Sequence, residues 1–238
     1  MRNDVYHLVT VNGGRSDNAA IVNVLSEIAA GRLESDLRLL NYYDEMPVSY
    51  SPVIVSRDRD SFELVVHKHQ ALIIKHDRST LIKSRHFHNG MGVHCFAAYV
   101  SVPRKTVILH NFAYAQIRAE RREAVRVKIH QKMPVTFFNE RVTIEGVMAD
   151  ISGSGISFSS RMEPTDDINQ PGILHFTLSG IPLTVPGLFI RSTAYGTGEY
   201  LYIFKLDPDR ISESMVARFI YKRQVEIVQQ LKDGFVVE

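Results

Sequence analysis

The sequence predicts a mainly β protein with two small antiparallel β domains, a short N-terminal helix and a long C-terminal helix. Short runs rich in valine, isoleucine and tyrosine recur between residues 36 and 111, and again between residues 134 and 206, with turn residues separating them. Neither series is interrupted by helices long enough for crossover connections, which favours an antiparallel barrel or sandwich. At 238 residues the chain has enough length for two cores.

The first predicted element is a short amphipathic helix. Ser16 and Asp17 are suitable N-terminal caps, and Gly31 is a suitable stop. The apolar residues between them recur at helical spacing: Ile21, Val24, Leu25 and Ile28. We assign residues 1–35 to this N-terminal helical extension, which would pack on the N-terminal domain or on a partner.

The next region, residues 36–112, is predicted to form the N-terminal β domain. Its expected strands are Leu37–Tyr43, Ser49–Val55, Phe62–His67, Leu72–Lys75, Thr80–Lys83, His94–Val102 and Thr106–His110. Residues 113–121 are polar and basic and show no strand alternation. We therefore place a basic linker at residues 113–126, between the two domains.

The second β domain, residues 127–238, is predicted to end in a long helix. Its expected strands are near Pro134–Phe138, Val142–Asp150, Gly155–Ser159, Ile173–Leu178, Leu183–Ser192 and Glu199–Leu206. Asp207 is a good helix cap and Pro208 suits the first helical position. An apolar stripe then precedes Gly234 and consists of Met215, Val216, Phe219, Ile220, Ile227 and Leu231.

Composition argues for an ordinary globular protein with one localised basic site. The hydrophobic content is 45%, and the net charge of +2 is too small to indicate general nucleic-acid or membrane binding. Residues 1–7 lack the apolar core of a signal peptide, and no run approaches the roughly 20 apolar residues of a membrane helix. Cys95 is the single cysteine, which suits a reducing compartment. We expect a cytoplasmic protein without membrane insertion.

Two segments together predict a receptor for an anionic guanine nucleotide. The first is a basic cluster ahead of a strand and consists of Arg118, Arg121, Arg122, Arg126 and Lys128. The second is the turn Asp150-Ile-Ser-Gly-Ser-Gly155. A guanidinium group offers a forked donor to phosphate or to the N7 and O6 edge of guanine, and a carboxylate accepts from guanine N1–H and N2–H.

The residues of these segments suit those roles individually. Arg122 or Arg126 can supply the fork, and Asp150 the carboxylate. Ser152 can donate its hydroxyl to a phosphate or base. Gly153 and Gly155 lack the Cβ atoms that would hold a planar base away from the backbone.

The motif pair resembles that of the PilZ domain, a bacterial receptor for cyclic di-GMP. Arg122-Glu-Ala-Val-Arg126 matches its RxxxR element, and Asp150-x-Ser152-x-x-Gly155 matches its (D/N)xSxxG element. Each element alone is common, but their order and their placement beside strands are specific. The layout is also similar to flagellar-brake (YcgR-like) proteins, in which a small N-terminal barrel precedes the PilZ domain.

The resemblance implies two β-barrels, the second six-stranded with a C-terminal helix, and a cyclic di-GMP site. The implied ligand-binding residues are Arg121, Arg122, Arg126, Asp150, Ser152, Gly153 and Gly155. In the resembled family an arginine at the position of Arg121 accompanies two stacked ligands per site, so two cyclic di-GMP per chain are expected. The implied partner is a protein, the flagellar motor or other output machinery regulating motility or biofilm formation.

Other chemistries find less support in the sequence. His86 and His88 alternate along a predicted strand, but without a cysteine or carboxylate at ligand spacing they indicate a half-exposed face, and we assign no metal. Ser152 and Ser154 miss the nucleophile-elbow pattern, and no acid, base and nucleophile can be assembled. We expect neither an enzyme nor a cofactor.

The sequence alone leaves two alternatives to a receptor open. One is a ligand-independent docking module of the same fold, whose arginines contact an acidic partner. The other is a DNA-binding transcriptional regulator, against which the absence of a helix-turn-helix pattern counts, so that we expect no nucleic-acid partner. The sequence leaves open whether the chain forms a homodimer.

Overall fold

The computed structural model describes residues 5–119 and 124–233 and divides into two compact units. Unit 1 comprises residues 1–43, 47–123 and 229–238, and unit 2 comprises residues 44–46 and 124–228. Within the described ranges no helix is long and apolar enough to cross a membrane.

Unit 1 contains an eight-stranded sheet and two helices. Its elements are β1 (Tyr6–Leu8), α1 (Gly14–Ala29), β2 (Arg38–Tyr43), β3 (Met46–Tyr50), β4 (Val53–Asp58), β5 (Ser61–Val65), α2 (Lys68–Asp77), β6 (Ser79–Lys83), β7 (Gly92–Ser101) and β8 (Thr106–Ile117). The strand order is β3-β2-β6-β7-β8-β5-β4, and β1 pairs with β8 as well. The core lies between the sheet and α1, whose Ile21 and Leu25 are fully buried.

Helix α2 replaces the predicted strand Leu72–Lys75, which was wrong. The run Leu72-Ile73-Ile74 is apolar enough for either structure, but the buried residues of α2 are Gln70, Ala71, Ile73 and Ile74, which share one helical face. His67 caps the helix by accepting from the backbone N–H of His69, and Arg78 ends it in the left-handed conformation at φ 59°.

Two further predictions for unit 1 need correction. Helix α1 begins at Gly14 after Gly13, whose φ of 100° favours glycine, so Ser16 is not the cap. The buried carboxylate of Asp17 instead accepts from the backbone N–H groups of Val11 and Asn12, at 2.8 and 2.9 Å. Strand β8 continues to Ile117, through part of the segment 113–121 predicted to have no strand, because its pairing with β7 and β1 supplies the hydrogen bonds.

Unit 2 is a closed antiparallel barrel of six strands with one extra strand. Its strands are β9 (Arg126–Lys128), β10 (Pro134–Phe138), β11 (Thr143–Ser152), β12 (Gly155–Ser160), β13 (Gly172–Leu178), β14 (Ile181–Ala194) and β15 (Tyr200–Leu206). The order β10-β13-β14-β15-β12-β11 closes through pairing of β10 with β11, and β9 adds to β11. The mainly β fold with a six-stranded second barrel is confirmed.

Aromatic side chains fill the interior of this barrel. The Phe158 ring stacks on the Phe204 ring with centroids 5.5 Å apart, and Phe137 packs on Phe204 at 4.5 Å. Tyr202 is also fully buried and donates its hydroxyl to the carbonyl of Met162 at 2.6 Å. This side chain therefore buries its ring while keeping its polar end satisfied.

The C-terminal helix α3 (Arg210–Lys232) starts later than predicted. Asp209, not Asp207, is the cap, since its side chain accepts from the backbone N–H of Ser212 at 2.7 Å. Most of the predicted stripe is buried or half-buried, but Leu231 belongs to unit 1, in a cluster with Val48 and Ile73. The predicted stop, Gly234, lies outside the described residues.

Candidate functional site

The two sequence motifs meet on adjoining strands of the unit 2 barrel. Strand β9 pairs with β11 so that Arg126 lies opposite Ser152, and Lys128 lies opposite Asp150. Directly paired residues on antiparallel strands project from the same face of the sheet. Arg126 and the polar residues of the second motif therefore share one face.

This polar face lies on the opposite side of the sheet from the barrel core. Val127, Ile151 and Ile156 are fully buried and mark the core side of β9, β11 and β12. The intervening positions are polar or glycine on all three strands: Arg126 and Lys128, Asp150 and Ser152, Gly155 and Ser157. Alternation along each strand thus separates a charged outer patch from the apolar interior.

The second motif is a β-hairpin rather than one continuous turn. Asp150 and Ser152 are the last residues of β11, Gly153 and Ser154 form the connection, and Gly155 begins β12. The Ser152 hydroxyl donates to the Gly155 carbonyl at 3.2 Å, and the Ser152 residue is 4% exposed. Ser152 therefore holds the hairpin closed, and its oxygen retains acceptor capacity.

The two glycines of the motif have different surroundings. A Cβ built on Gly155 would lie 3.0 Å from the Phe204 carbonyl, so this glycine allows the close approach of β12 and β15. A Cβ on Gly153 would meet nothing within 4 Å. Gly153 therefore leaves the space above the hairpin connection open.

Asp150 is held by a residue that the sequence analysis did not select. The Ser157 hydroxyl donates to Oδ2 of Asp150 at 2.6 Å, and Ser157 lies directly opposite Asp150 on β12. Ser157 follows Gly155 by two positions, so strand alternation could have placed it on the same face. The two-residue connection of Gly153 and Ser154 sets the register of the hairpin and so pairs Ser157 with Asp150.

Basic residues continue the face on both sides of the hairpin. Lys128 is exposed beside Asp150, and Lys205 on β15 is exposed and lies opposite Gly155. Sequence analysis included Lys128 in the basic cluster but missed Lys205, which lies about fifty residues further along the chain. The pairing of β15 with β12 brings Lys205 to this face.

Strand β9 is short, and its backbone is bound by side chains and loops of unit 2. The Lys128 N–H donates to the Asp44 carbonyl at 3.1 Å, and Arg223 Nε donates to the Lys128 carbonyl at 3.4 Å. The Asp44 carboxylate lies 2.8 Å from Nε2 of His130 and 3.7 Å from Nη2 of Arg223. These contacts fix the strand that carries Arg126.

Several other predicted residues are placed elsewhere or not described. Arg121 and Arg122 lie outside the described residues. Arg118 is in unit 1, where its Nε donates to Nδ1 of His7 at 3.1 Å. His88 opens a short 3-10 turn, His88–Gly90, so the prediction that His86 and His88 alternate along a strand was wrong.

Metal and thiol chemistry find no support in the described parts of the chain. Across residues 5–119 and 124–233 no three histidine, cysteine or acidic side chains cluster closely enough to hold a metal ion. Burial raises the pKa of the Cys95 thiol, which donates to the Thr80 carbonyl. A thiol held neutral and covered is a packing residue rather than a nucleophile.

Comparison with known proteins assigns a family to the region around this site. Residues 120–222 match the PilZ domain. A curated relative from Aquifex aeolicus (strain VF5), described as an uncharacterized protein, is 29% identical over 134 residues. That match covers 55% of this chain and spans 63% of the length of the relative.

Solved structures also resemble the chain at low sequence identity. The Escherichia coli protein YcgR in complex with c-di-GMP is 12% identical, with 94% of this chain and 99% of that chain covered and a TM-score of 0.44. A complex of MrkH with c-di-GMP from K. pneumonia is 8% identical, with the same coverage and a TM-score of 0.46.

The family match includes both motif elements, from Arg122 to Gly155, and the closed barrel that carries them. Recognition of the family from this motif pair is therefore confirmed, and the chain contains a PilZ domain.

Proposed function

We propose that this protein is a non-enzymatic receptor for cyclic di-GMP. The observation that carries the proposal is the register of β9 on β11, which places the last arginine of RxxxR directly opposite the serine of DxSxxG. Arg126 supplies a permanent charge and a forked donor for phosphate or for the N7 and O6 edge of guanine. Asp150, oriented by Ser157, supplies the carboxylate that accepts from guanine N1–H and N2–H.

The remaining residues of the proposed site complete the contacts. Arg122 is the second anchor for the phosphates, and Ser152 contributes a hydroxyl oxygen. Gly153 and Gly155 let a planar base approach the hairpin backbone, and the open space at Gly153 supports this role. Lys128 and Lys205 add positive charge around the ligand, which attracts a dianion.

The proposed output is a change in the arrangement of the two domains. RxxxR ends at Arg126, the first residue of β9, and a ligand bound by both motifs would draw the segment before β9 onto the barrel. A ligand shifts the equilibrium between two domain arrangements only if it binds one arrangement more tightly than the other. Contacts between the ligand and the segment before β9 would provide this difference in affinity. The altered arrangement would change contact with a protein partner, the flagellar motor or another machinery that controls motility or biofilm formation.

The proposed stoichiometry is two cyclic di-GMP per chain. Arg121 immediately precedes RxxxR and would stack on, or hydrogen-bond to, the outer guanine of a second, intercalated ligand. The same guanidinium would offset part of the second ligand's negative charge. Arg121→Leu should reduce the stoichiometry to one ligand per chain while retaining binding. A wild-type titration that saturates at one ligand per chain would contradict the proposed stoichiometry of two.

Calorimetric titration with cyclic di-GMP tests the receptor function itself. We expect saturable binding, with cyclic di-AMP as the control ligand that shares the phosphates but lacks the guanine edge. A dissociation constant weaker than about 1 mM, only ~4 kcal/mol of binding, would favour the ligand-independent docking module instead. Equal affinity for cyclic di-AMP would contradict guanine recognition by Asp150.

Amide hydrogen exchange tests the proposed coupling separately. We expect residues 116–126 and the hairpin 150–155 to become protected together when the ligand binds. Residues 211–231 should change little. Protection confined to the hairpin would mean that the ligand binds locally without drawing in the preceding segment.

A further inference from the structure

Strand β9, which carries Arg126 of the proposed ligand site, is a short strand at the end of its sheet. It is three residues long, pairs with β11 and comes last in the strand order. The Ile129 N–H donates to the Ala149 carbonyl at 2.9 Å. Since hydrogen-bonded and non-hydrogen-bonded pairs alternate along an antiparallel ladder, the backbone groups of Lys128 point away from β11. The Lys128 N–H and carbonyl therefore need partners other than β11.

Two residues from distant parts of the sequence occupy these backbone groups. Asp44, in the turn between β2 and β3, belongs to unit 2 and accepts from the Lys128 N–H through its backbone carbonyl at 3.1 Å. Arg223 on α3 donates from Nε to the Lys128 carbonyl at 3.4 Å. The outer edge of β9 is thus held at Lys128 by one turn and one helix.

The Asp44 side chain joins these two partners. Its Oδ2 lies 3.7 Å from Nη2 of Arg223 and 2.8 Å from Nε2 of His130, two residues after β9. The Asp44 and Arg223 side chains are only 13% and 16% exposed, so solvent screens their attraction weakly. One carboxylate therefore links its own turn, helix α3 and the chain that follows β9.

The turn that carries Asp44 has an unfavourable sequence for its conformation. Asp44 and Glu45 are the two residues between β2 and β3, and their φ values are 49° and 68°. Positive φ at both central residues is the pattern of a type I′ hairpin turn, in which glycine is usual at the second position. Glutamate is disfavoured there, so the contacts of Asp44 with β9 and α3 help to hold the turn in place.

We infer that Asp44 is a positioning residue for the cyclic di-GMP site. It fixes β9, and with it Arg126, against the barrel in the absence of ligand. The inference rests on the proposed function, because Asp44 acts on the ligand only through β9. Coupling between two sites is reciprocal, so a ligand bound by Arg126 should in turn stabilise residues 44–46.

Amide hydrogen exchange of the full chain without ligand tests whether Asp44 fixes β9. Asp44→Ala should make the Lys128 amide exchange about tenfold faster, because the carbonyl that accepts from it is then no longer anchored. Asp44→Asn keeps an acceptor oxygen for Arg223 and should restore most of the protection. Asp60→Ala is the matched control, since Asp60 is exposed in the two-residue turn between β4 and β5. Unchanged exchange at Lys128 in Asp44→Ala would overturn the inference.

Calorimetric titration with cyclic di-GMP tests whether the fixed strand serves the ligand. Asp44→Ala should weaken binding about tenfold, and Asp60→Ala should bind as the wild type does. In an Arg126→Ala background, Asp44→Ala should weaken binding by less than about a further twofold, because a positioning residue has no effect once its target is gone. A full tenfold loss in that background would show that Asp44 acts independently of Arg126 and would overturn the inference.

The same experiments separate this inference from the proposed function. A wild type that does not bind cyclic di-GMP would overturn the proposed function, and the ligand role of Asp44 with it. If the wild type binds and Asp44→Ala, shown to be folded by circular dichroism and thermal unfolding, binds equally well, only the inference is overturned. Ligand added to the wild type should also protect the amides of Glu45 and Met46, and unchanged exchange there would contradict the reciprocal coupling.

Discussion

Ser157 and Asp150 form a 2.6 Å hydrogen bond between neighbouring strands, with the serine hydroxyl donating to Oδ2 of the carboxylate. Ser157 is 1% exposed, so this bond is shielded from competing solvent. A shielded donor on one carboxylate oxygen restricts the rotamer of Asp150. The proposed site thus contains a carboxylate that is oriented in the absence of ligand.

Removing this donor should weaken ligand binding without unfolding the barrel. We expect Ser157→Ala to reduce cyclic di-GMP affinity by ~1 kcal/mol, the usual contribution of one hydrogen bond, because Asp150 must then be ordered by the ligand itself. Ser154→Ala, in the exposed hairpin connection, is the control and should bind as the wild type does. Calorimetry measures both, and unchanged affinity of Ser157→Ala would show that the bond does not prepare the carboxylate.

Asp150 itself should contribute to base recognition more than to phosphate binding. Asp150→Asn keeps one acceptor oxygen and should weaken cyclic di-GMP binding moderately, and Asp150→Ala should weaken it further. Neither change should alter the weak binding of cyclic di-AMP. Titration of both variants with both dinucleotides checks this, and an equal loss for the two ligands would assign Asp150 a structural role instead.

Arg126 should be the dominant anchor among the described residues. We expect Arg126→Ala to cost ~2–4 kcal/mol of cyclic di-GMP binding, the range for an unmade charge-assisted contact. Arg126→Lys should recover only part of this loss, since it restores the charge without the fork. Arg161→Ala is the control, because its side chain is 88% exposed and approaches Glu199 at 3.8 Å. An unchanged affinity of a folded Arg126→Ala protein would show that Arg126 does not contact the ligand.

The sequence predicted the barrel strands of unit 2 closely, and strand Pro134–Phe138 has the predicted bounds. The reason is local: alternating burial and glycine-containing turns specify each strand without reference to its neighbours. Helix α2 was missed because its buried face includes Gln70, whose burial depends on a contact with Asn41 on β2. Contacts between residues far apart in sequence decided the structure of that segment.

The sequence also predicted part of the arrangement of the proposed site. The motifs identified Arg126, Asp150 and Ser152, which the structure brings onto adjoining strands. Ser157 and Lys205 were not selected, because Ser157 lies on the return strand of the hairpin, outside the motif, and Lys205 reaches this face only through the pairing of β15 with β12. That pairing joins residues far apart in the chain and leaves no local signature in the sequence.

Tyr202 should make the stability of the protein depend on alkaline pH. Burial, with smaller effects from Tyr200 and Glu163, raises the pKa of Tyr202 to about 12 in the folded chain. An unfolded tyrosine has a pKa near 10, so between about pH 10 and pH 12 the unfolded state releases a proton that the native state keeps. This contribution to stability is therefore lost as the pH rises through that window.

The Tyr202→Phe variant separates this effect from other titrations. It should be less stable at neutral pH, because the Met162 carbonyl loses its donor, but its stability should fall less steeply above about pH 10. Urea unfolding of both proteins at several pH values measures the difference in slope. Parallel pH profiles for the two proteins would contradict the raised pKa.

Gln70 should be replaceable by an apolar residue with little loss of stability. It is fully buried in unit 1, and its Nε2 donates to Oδ1 of Asn41 at 2.6 Å, but its Oε1 has no hydrogen-bond partner among the described residues. An unsatisfied buried acceptor costs ~1–3 kcal/mol, comparable to the value of the bond that the same side chain makes. In Gln70→Met that cost disappears, and Oδ1 of Asn41 still accepts from the Thr80 hydroxyl at 2.7 Å. We therefore expect the free energy of unfolding to change by less than about 1 kcal/mol, in either direction.

Asn41→Leu is the contrasting variant for the same cluster. Asn41 accepts from Gln70 and Thr80 and donates to the Ser79 carbonyl at 2.9 Å, so its loss leaves three buried polar groups without that partner. We expect it to destabilise unit 1 by more than ~2 kcal/mol, since each orphaned group carries its own desolvation penalty. Urea unfolding of the two variants beside the wild type measures the difference. A Gln70→Met protein as unstable as Asn41→Leu would mean that the glutamine oxygen is satisfied in solution, since its removal would then cost a hydrogen bond.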